Sequence, residues 1–308
     1  MITFLLRRLL QAIPVLLGVA IIAFVLTKAS GDPVRRLLGA HATPETVKRV
    51  QAYYGFDKPW PVQFAAYLYH LAHGDLGASI SKDGTAVTGI VFDGLSVTLK
   101  LALGAAVIAV SLGLTLGILS AWRPNSWIDY ASALLASLGI SFPAFFLGML
   151  LLLVFAVNWR LFPIGGYLEG SLAHLFLPCI TLGFISTASI ARLTRTCLLE
   201  AQSSDYVRSA RAKGRGEWYV MLGHVFPNAL VPVVTVIGGD FAGLLTGAVL
   251  TETVFNIPGI GTVMADAIFQ RDLPVVMGCC LVFGVIFVFF NLAVDLLYAF
   301  LDPRIRHA

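Results

Sequence analysis

Two carboxylates, Asp240 and Asp295, fall inside long apolar runs of this sequence. An ionisable side chain is costly in hydrocarbon and persists there only with a partner or a task. Asp240 sits near the middle of its run and is a candidate lining for a polar path, which Asn228 and Glu252 could extend. For Asp295 the expectation is a structural pairing with a neighbouring helix. Lys100 and Arg192 lie near run ends, where long side chains reach the interface. Ser141-Phe142-Pro143 places a proline within an apolar run, so a kink or local unwinding is expected there. Ser141 and Pro143 either line a path or bend a helix, and the residues alone leave both open. So few ionisable groups argue against ion coupling within this chain.

Groups for bond-breaking chemistry are not assembled. Gly139-Ile140-Ser141 lacks the second glycine of a nucleophile elbow, His174 has no serine partner in its surroundings, and Asp240 with Asp295 lack a protease context. No phosphate-binding G-x-x-x-x-G-K-[ST] stretch occurs, so the chain itself is not expected to hydrolyse ATP. The six histidines are scattered without metal-ligand spacing, and neither a metal nor another cofactor is expected. Cys179, Cys197, Cys279 and Cys280 lie in or beside apolar runs with no C-x-x-C pair, and read as small buried residues. The expectation is a non-catalytic protein.

The elements that hold these residues are apolar helices. Of 308 residues 58% are hydrophobic and 12% charged, and the mean hydropathy is +0.85. Soluble domains carry roughly a quarter charged residues, so this composition implies an integral membrane protein in a lipid bilayer. The net charge of +4 calls for no nucleic acid. Six runs approach or exceed the roughly 20 residues that cross a bilayer: about 9–29, 97–121, 131–157, 172–195, 229–251 and 275–301. The first, longer than a signal-peptide core and followed by no clear A-x-A site, reads as a retained helix. Arg7, Arg8, Arg123, the basic residues from Arg192 to Arg215, and Arg304 with Arg306 all fall on one side. That asymmetry puts both termini in the cytoplasm.

Two polar stretches interrupt the helices. Residues 30–95 are mixed and aromatic and read as an external subdomain. Within it Thr43-Pro44-Glu45 is a helix start, with Val47, Val50 and Tyr54 on one face. Phe64, Tyr67, Leu68 and Leu71 mark a second amphipathic stretch. Residues 204–227 form a basic cytoplasmic loop in which Arg208, Arg211, Lys213 and Arg215 crowd the first half. Gly214 and Gly216 permit a tight change of direction. Basicity alone is what any cytoplasmic loop would show. Small residues are dense in the spans, and Gly113 with Gly117 have the spacing that lets helix backbones approach.

The loop resembles the E-A-A-x3-G-x9-I-x-L-P motif of ATP-binding-cassette (ABC) importer permeases. Arg208-Ser209-Ala210 stands at E-A-A, followed by Gly214 and then by His224-Val225-Phe226-Pro227. Arg208, Ser209, His224 and Phe226 depart from the general motif, in the manner of the dipeptide/oligopeptide (peptide/nickel) branch and its B-type subunit. The F-x-x-R-R-L start, Gly31-Asp32-Pro33, the Y-G-F-D-K-P segment, Gly74-Asp75-Leu76-Gly77 and Glu252-x-Val-Phe-x-x-Pro-Gly-x-Gly261 extend the resemblance along nearly the whole chain.

The resemblance implies an all-α, six-helix permease of the type I importer fold in a bacterial inner membrane, forming one transmembrane domain over 1–308. It implies a second, similar permease, two ATPase subunits below and an extracytoplasmic substrate-binding protein above. The loop would then be a coupling helix, with Asp205, Tyr206, Arg208, Ala210, Arg211, Lys213 and Gly214 at the ATPase. The implied cargo is di- or oligopeptides, with nickel or glutathione as alternatives inside the class. Outside it, the competing reading is a stand-alone secondary transporter, against which no internal repeat is visible.

Overall fold

The computed structural model describes residues 2–29, 45, 57–82, 84–169 and 171–301. The Gly31-Asp32-Pro33 segment, the helix expected at Thr43 with Val47, Val50 and Tyr54, the first half of the Y-G-F-D-K-P segment, and Arg304 and Arg306 lie outside the described residues, as does the side chain of Asp295. Helices make up most of what is described: α1 (Ile2–Ala29), α2 (Trp60–Ala72), α3 (Val87–Trp122), α4 (Trp127–Ser141), α5 (Ala144–Leu151) continuing into a wider π-helical turn at Leu152–Asn158, and α6 (Leu172–Gln202). Two short helices follow, α7 (Asp205–Ala212) and α8 (Glu217–Val220), the latter leading through a π-helical turn at Met221–Val225 into α9 (Phe226–Phe255). The last are α10 (Ile260–Gln270) and α11 (Leu273–Leu301). An isolated pairing of Ala78 with Ala86 is the one β-type bridge among the described residues.

Val87–Trp122, Leu172–Gln202 and Leu273–Val294 are unbroken helices long and apolar enough to cross a membrane, and the number reaches six when each bent pair is counted as one span. The apolar stretch of α1, Leu10–Leu26, is shorter. Trp127–Gly139 and Ala144–Asn158 meet at 109°. The hinge is Phe142 and Pro143, both in extended conformation. Proline disfavours helical geometry in the residue before it, so the chain leaves the helix where the sequence predicts a kink. The first unbroken span starts at Val87, well before residue 97, and the fourth expected run continues past 195 to Gln202.

The chain forms two compact units, Met1–Val97 with Gly259–Val288, and Thr98–Pro258 with Phe289–Ala308. In the first, Phe24 of α1 meets Phe64 and Tyr67 of α2 with ring centroids 5.2 and 6.2 Å apart. Its polar centre is Asp272, buried between α10 and α11. The carboxylate accepts hydrogen bonds from Ser79 Oγ (2.5 Å), Ser81 Oγ (2.6 Å) and the backbone N–H groups of Ser81 (2.9 Å) and Ile80 (3.2 Å). Burial opposes its ionisation, but these donors outweigh burial and hold the carboxyl below the usual carboxylate range.

In the second unit α3 and α6 pack backbone to backbone. A Cβ added at Gly113 would lie 2.8 Å from Ile190, and one at Gly117 would lie 2.5 Å from Thr194 and 2.8 Å from the Ala191 carbonyl. A Cβ added at Gly183 of α6 would likewise lie 2.7 Å from the Ala105 carbonyl. In lipid no hydrophobic drive brings helices together, so close approach across small residues supplies the attraction. The cysteines are free, with Cys179 and Cys279 buried and Cys197 and Cys280 half-buried.

Candidate functional site

The polar break at 204–227 is itself folded. Beyond Gln202 the hydroxyls of Ser203 and Ser204 donate to the carbonyls of Glu200 and Ala201, which turns the chain out of α6. Helix α7 then carries Asp205 in its first turn and Arg211 in its last, the order that complements a helix dipole. Its buried residues are Val207 and Ala210, three apart and so on one face. They join a cluster with Ala121 of α3, Leu198 of α6, Val220, Met221 and Val225 of the following turns, and Ala229 of α9. The loop is thereby seated on the ends of three long helices at once.

Its polar groups are arranged around that seat. Gly214 has φ +73°, in the left-handed region that L side chains avoid. The turn it makes lets Arg211 donate two hydrogen bonds to Glu217, at 3.0 and 3.2 Å. Trp218 stacks on Trp122 at the end of α3, with centroids 3.9 Å apart and planes 16° apart. The Arg215 guanidinium lies over the Tyr219 ring at 4.6 Å. Gln202 donates to the Ala121 carbonyl at 3.3 Å. Tyr206, Arg208 and Lys213 are exposed and take no part in these contacts, with Asp205 beside Arg208 at 3.6 Å. An ion pair this exposed contributes little to stability, so these groups are available to a partner.

The expected coupling residues therefore divide. Asp205, Tyr206, Arg208 and Lys213 form the outer face, Ala210 lies beneath it, Gly214 sets the turn, and Arg211 is engaged inside the loop by Glu217. Sequence reasoning gave Glu217 and Trp218, which lie within the loop, and Trp122 no part in holding it, although the Trp-Tyr pair after Glu217 was a visible aromatic signal. It also missed Asp129. This carboxylate, buried in the first turn of α4, receives Arg195 Nε and Nη2 at 2.6 and 2.7 Å, Ser120 Oγ at 2.9 Å and the Asn125 N–H at 2.9 Å. It ties α3, α4 and α6 together just above the loop.

The four path candidates take different places. Ser141 Oγ donates back to the Ser137 carbonyl at 2.8 Å, and Pro143 starts α5, so both belong to the break between α4 and α5. Asp240 is half-buried on α9, hydrogen-bonded to Ser186 of α6, while its Oδ2 is buried with no hydrogen-bond partner. Glu252 is fully buried and accepts a hydrogen bond from Thr98 of α3 at 2.5 Å. In this conformation its carboxylate is turned to a neighbouring helix.

Residues 113–307 match the family described as binding-protein-dependent transport system inner membrane component, and residues 1–112 match the N-terminal part of such components. The dipeptide transport system permease protein DppB of Alkalihalophilus pseudofirmus is 38% identical over 334 residues, covering 100% of both chains. The protein of Escherichia coli named "Probable D,D-dipeptide transport system permease protein DdpB" is 40% identical, covering 94% of each. A structure of the MetNI methionine ABC transporter in inward facing conformations is 20% identical, covers 69% of this chain and 96% of its own, and superposes with a TM-score of 0.57. At that identity the likeness speaks for the fold alone. The fold is the all-α type I permease fold of ABC importers.

Proposed function

The chain belongs to the binding-protein-dependent transport system inner membrane components, and from that premise we propose that it moves di- or oligopeptides into the cytoplasm as the B-type permease of an ABC importer. The peptide cargo is supported by relatives named as dipeptide permeases, matched over 94–100% of their length. The division of labour follows from what this chain contains. It offers a folded loop and a helical scaffold, and the ATPase activity resides in two partner subunits. A second, similar permease completes the path, and a substrate-binding protein delivers cargo from outside, where residues 30–95 receive it. Both termini lie in the cytoplasm.

The observation that carries this reading is the seating of α7. Val207 and Ala210 anchor it to α3, α6 and α9, while Tyr206, Arg208 and Lys213 stay exposed. Such an element moves as a rigid body and passes a push from below to three helices. Charged rim residues of this kind chiefly set which partner docks and how fast. Asp240, with Ser186 beside it, is the polar group of the membrane segment most suited to meet cargo.

Recovery of the chain from native membranes in mild detergent tests the assembly. The expected companions are a second permease, two ATPases and a binding protein whose bound cargo is a peptide by mass. Nickel or glutathione on that binding protein would change the cargo and keep the class. Ion-driven transport by this chain alone in liposomes, with no companions, would overturn the class.

A further inference from the structure

Beside the Asp129–Arg195 pair a cavity of about 300 Å³ opens between α4 and α6. Its floor is small: Ala133, Ala136 and Ser137 follow one another at helical spacing on α4, facing Ala191 on α6. Ser132, only 7% exposed, also lines it, and its Oγ is buried with no hydrogen-bond partner. A buried hydroxyl left unpaired is costly, and a native site normally supplies it with a ligand or water. At the rim stand Tyr130 and the exposed Arg192. Asp129 and Arg195 lie in the same wall but neutralise each other through two hydrogen bonds. The net charge presented to the cavity is the single positive charge of Arg192.

We infer that this cavity is a binding site for the headgroup of an anionic phospholipid of the cytoplasmic leaflet. Arg192 would hold the phosphate, for which a guanidinium fork is suited. Ser132 would donate to a phosphate or glycerol oxygen, and one acyl chain would leave along the exposed apolar face of Leu134, Leu135 and Leu138. Trp127 and Tyr130, both strongly exposed in the first turn of α4, set the depth, because amphipathic rings settle at the headgroup level. Three features thus converge here: among the described residues, a cation with no carboxylate partner and a buried hydroxyl with no acceptor, and beside them an apolar exit. The cytoplasmic assignment rests on the topology proposed above.

The test is native mass spectrometry of the purified transporter exchanged into nanodiscs of phosphatidylglycerol or phosphatidylcholine, with stepwise delipidation. The wild type is expected to keep phosphatidylglycerol past the step at which phosphatidylcholine is lost. Arg192→Gln should weaken that retention about fivefold, the factor expected for one basic residue at an anionic surface. Ser132→Ala should weaken it less, and free glycerol phosphate should not displace the lipid. Equal retention of the two lipids, or unchanged retention in Arg192→Gln, would overturn the inference, as would a crosslink from residue 192 to a protein partner. Displacement by glycerol phosphate would instead reassign the site to a soluble phosphate. Recovery of the ATPases and binding protein is scored separately, so failure of the lipid site and failure of the transporter reading give different results.

Discussion

A carboxylate is stabilised here by its donors more than by a cation. Asp272 accepts four hydrogen bonds from the Ser79–Ser81 segment, and Asp272→Asn replaces an acceptor oxygen with a second donor. The expected cost is about 2 kcal/mol, the scale of hydrogen bonds to charged groups, read as a lower unfolding temperature in detergent. The folded carboxyl ionises more readily than the unfolded one. Its stabilisation is therefore complete above the ordinary carboxylate value of about 4 and is lost as pH falls through the lower folded value. Acid unfolding should accordingly be less steep in Asp272→Asn. Asp129→Asn breaks the bidentate bond to Arg195 and should likewise lower stability by about 2 kcal/mol while leaving membrane insertion intact. Neither site was legible in the sequence. Asp272 lies 193 residues from Ser79 and Asp129 lies 66 from Arg195, and local periodicity carries no information about pairings at that distance. Asp240 and Glu252 were legible as costly charges, but the sequence could not tell that one keeps an unpaired oxygen and the other turns to Thr98.

Helices were the most legible feature, because apolar length and proline act locally. The Pro143 break and the Gly113–Gly117 face were both readable as patterns. The extension of α3 back to Val87 was not, since Asp93 and the polar residues around it resemble loop composition. Gly117→Val places branched carbon against Thr194 and the Ala191 carbonyl, and should destabilise the α3–α6 pair by roughly 1–3 kcal/mol. Cysteine crosslinking between the two helices would then slow relative to the parent. In the loop, Ala210→Asp forces a carboxylate into the cluster of Val207, Leu198 and Val220, and Gly214→Pro demands a negative φ where the chain has +73°. Both variants should insert normally and lose substrate uptake. Uptake at the parent rate in either would remove α7 from the transmission of force.

For the whole molecule, the family and its fold were readable from the loop at 204–227 and the Glu252–Gly261 segment, because those stretches carry the motifs of the class. The occupant of the 300 Å³ cavity was not, since it depends on a hydroxyl whose isolation only the packing of α4 on α6 reveals. Removing residues 63–77 should lower uptake while the ATPases still co-purify. Loss of the ATPases in that variant would mean that this segment supports assembly. The stacked indoles of Trp122 and Trp218 carry one further consequence. The transition dipoles of two indoles whose centroids lie 3.9 Å apart are close enough to couple, and any motion that lifts the loop from α3 must separate them. If the loop transmits ATPase motion as proposed above, this pair is a native optical gauge of that motion, to be read in the near ultraviolet without adding a dye.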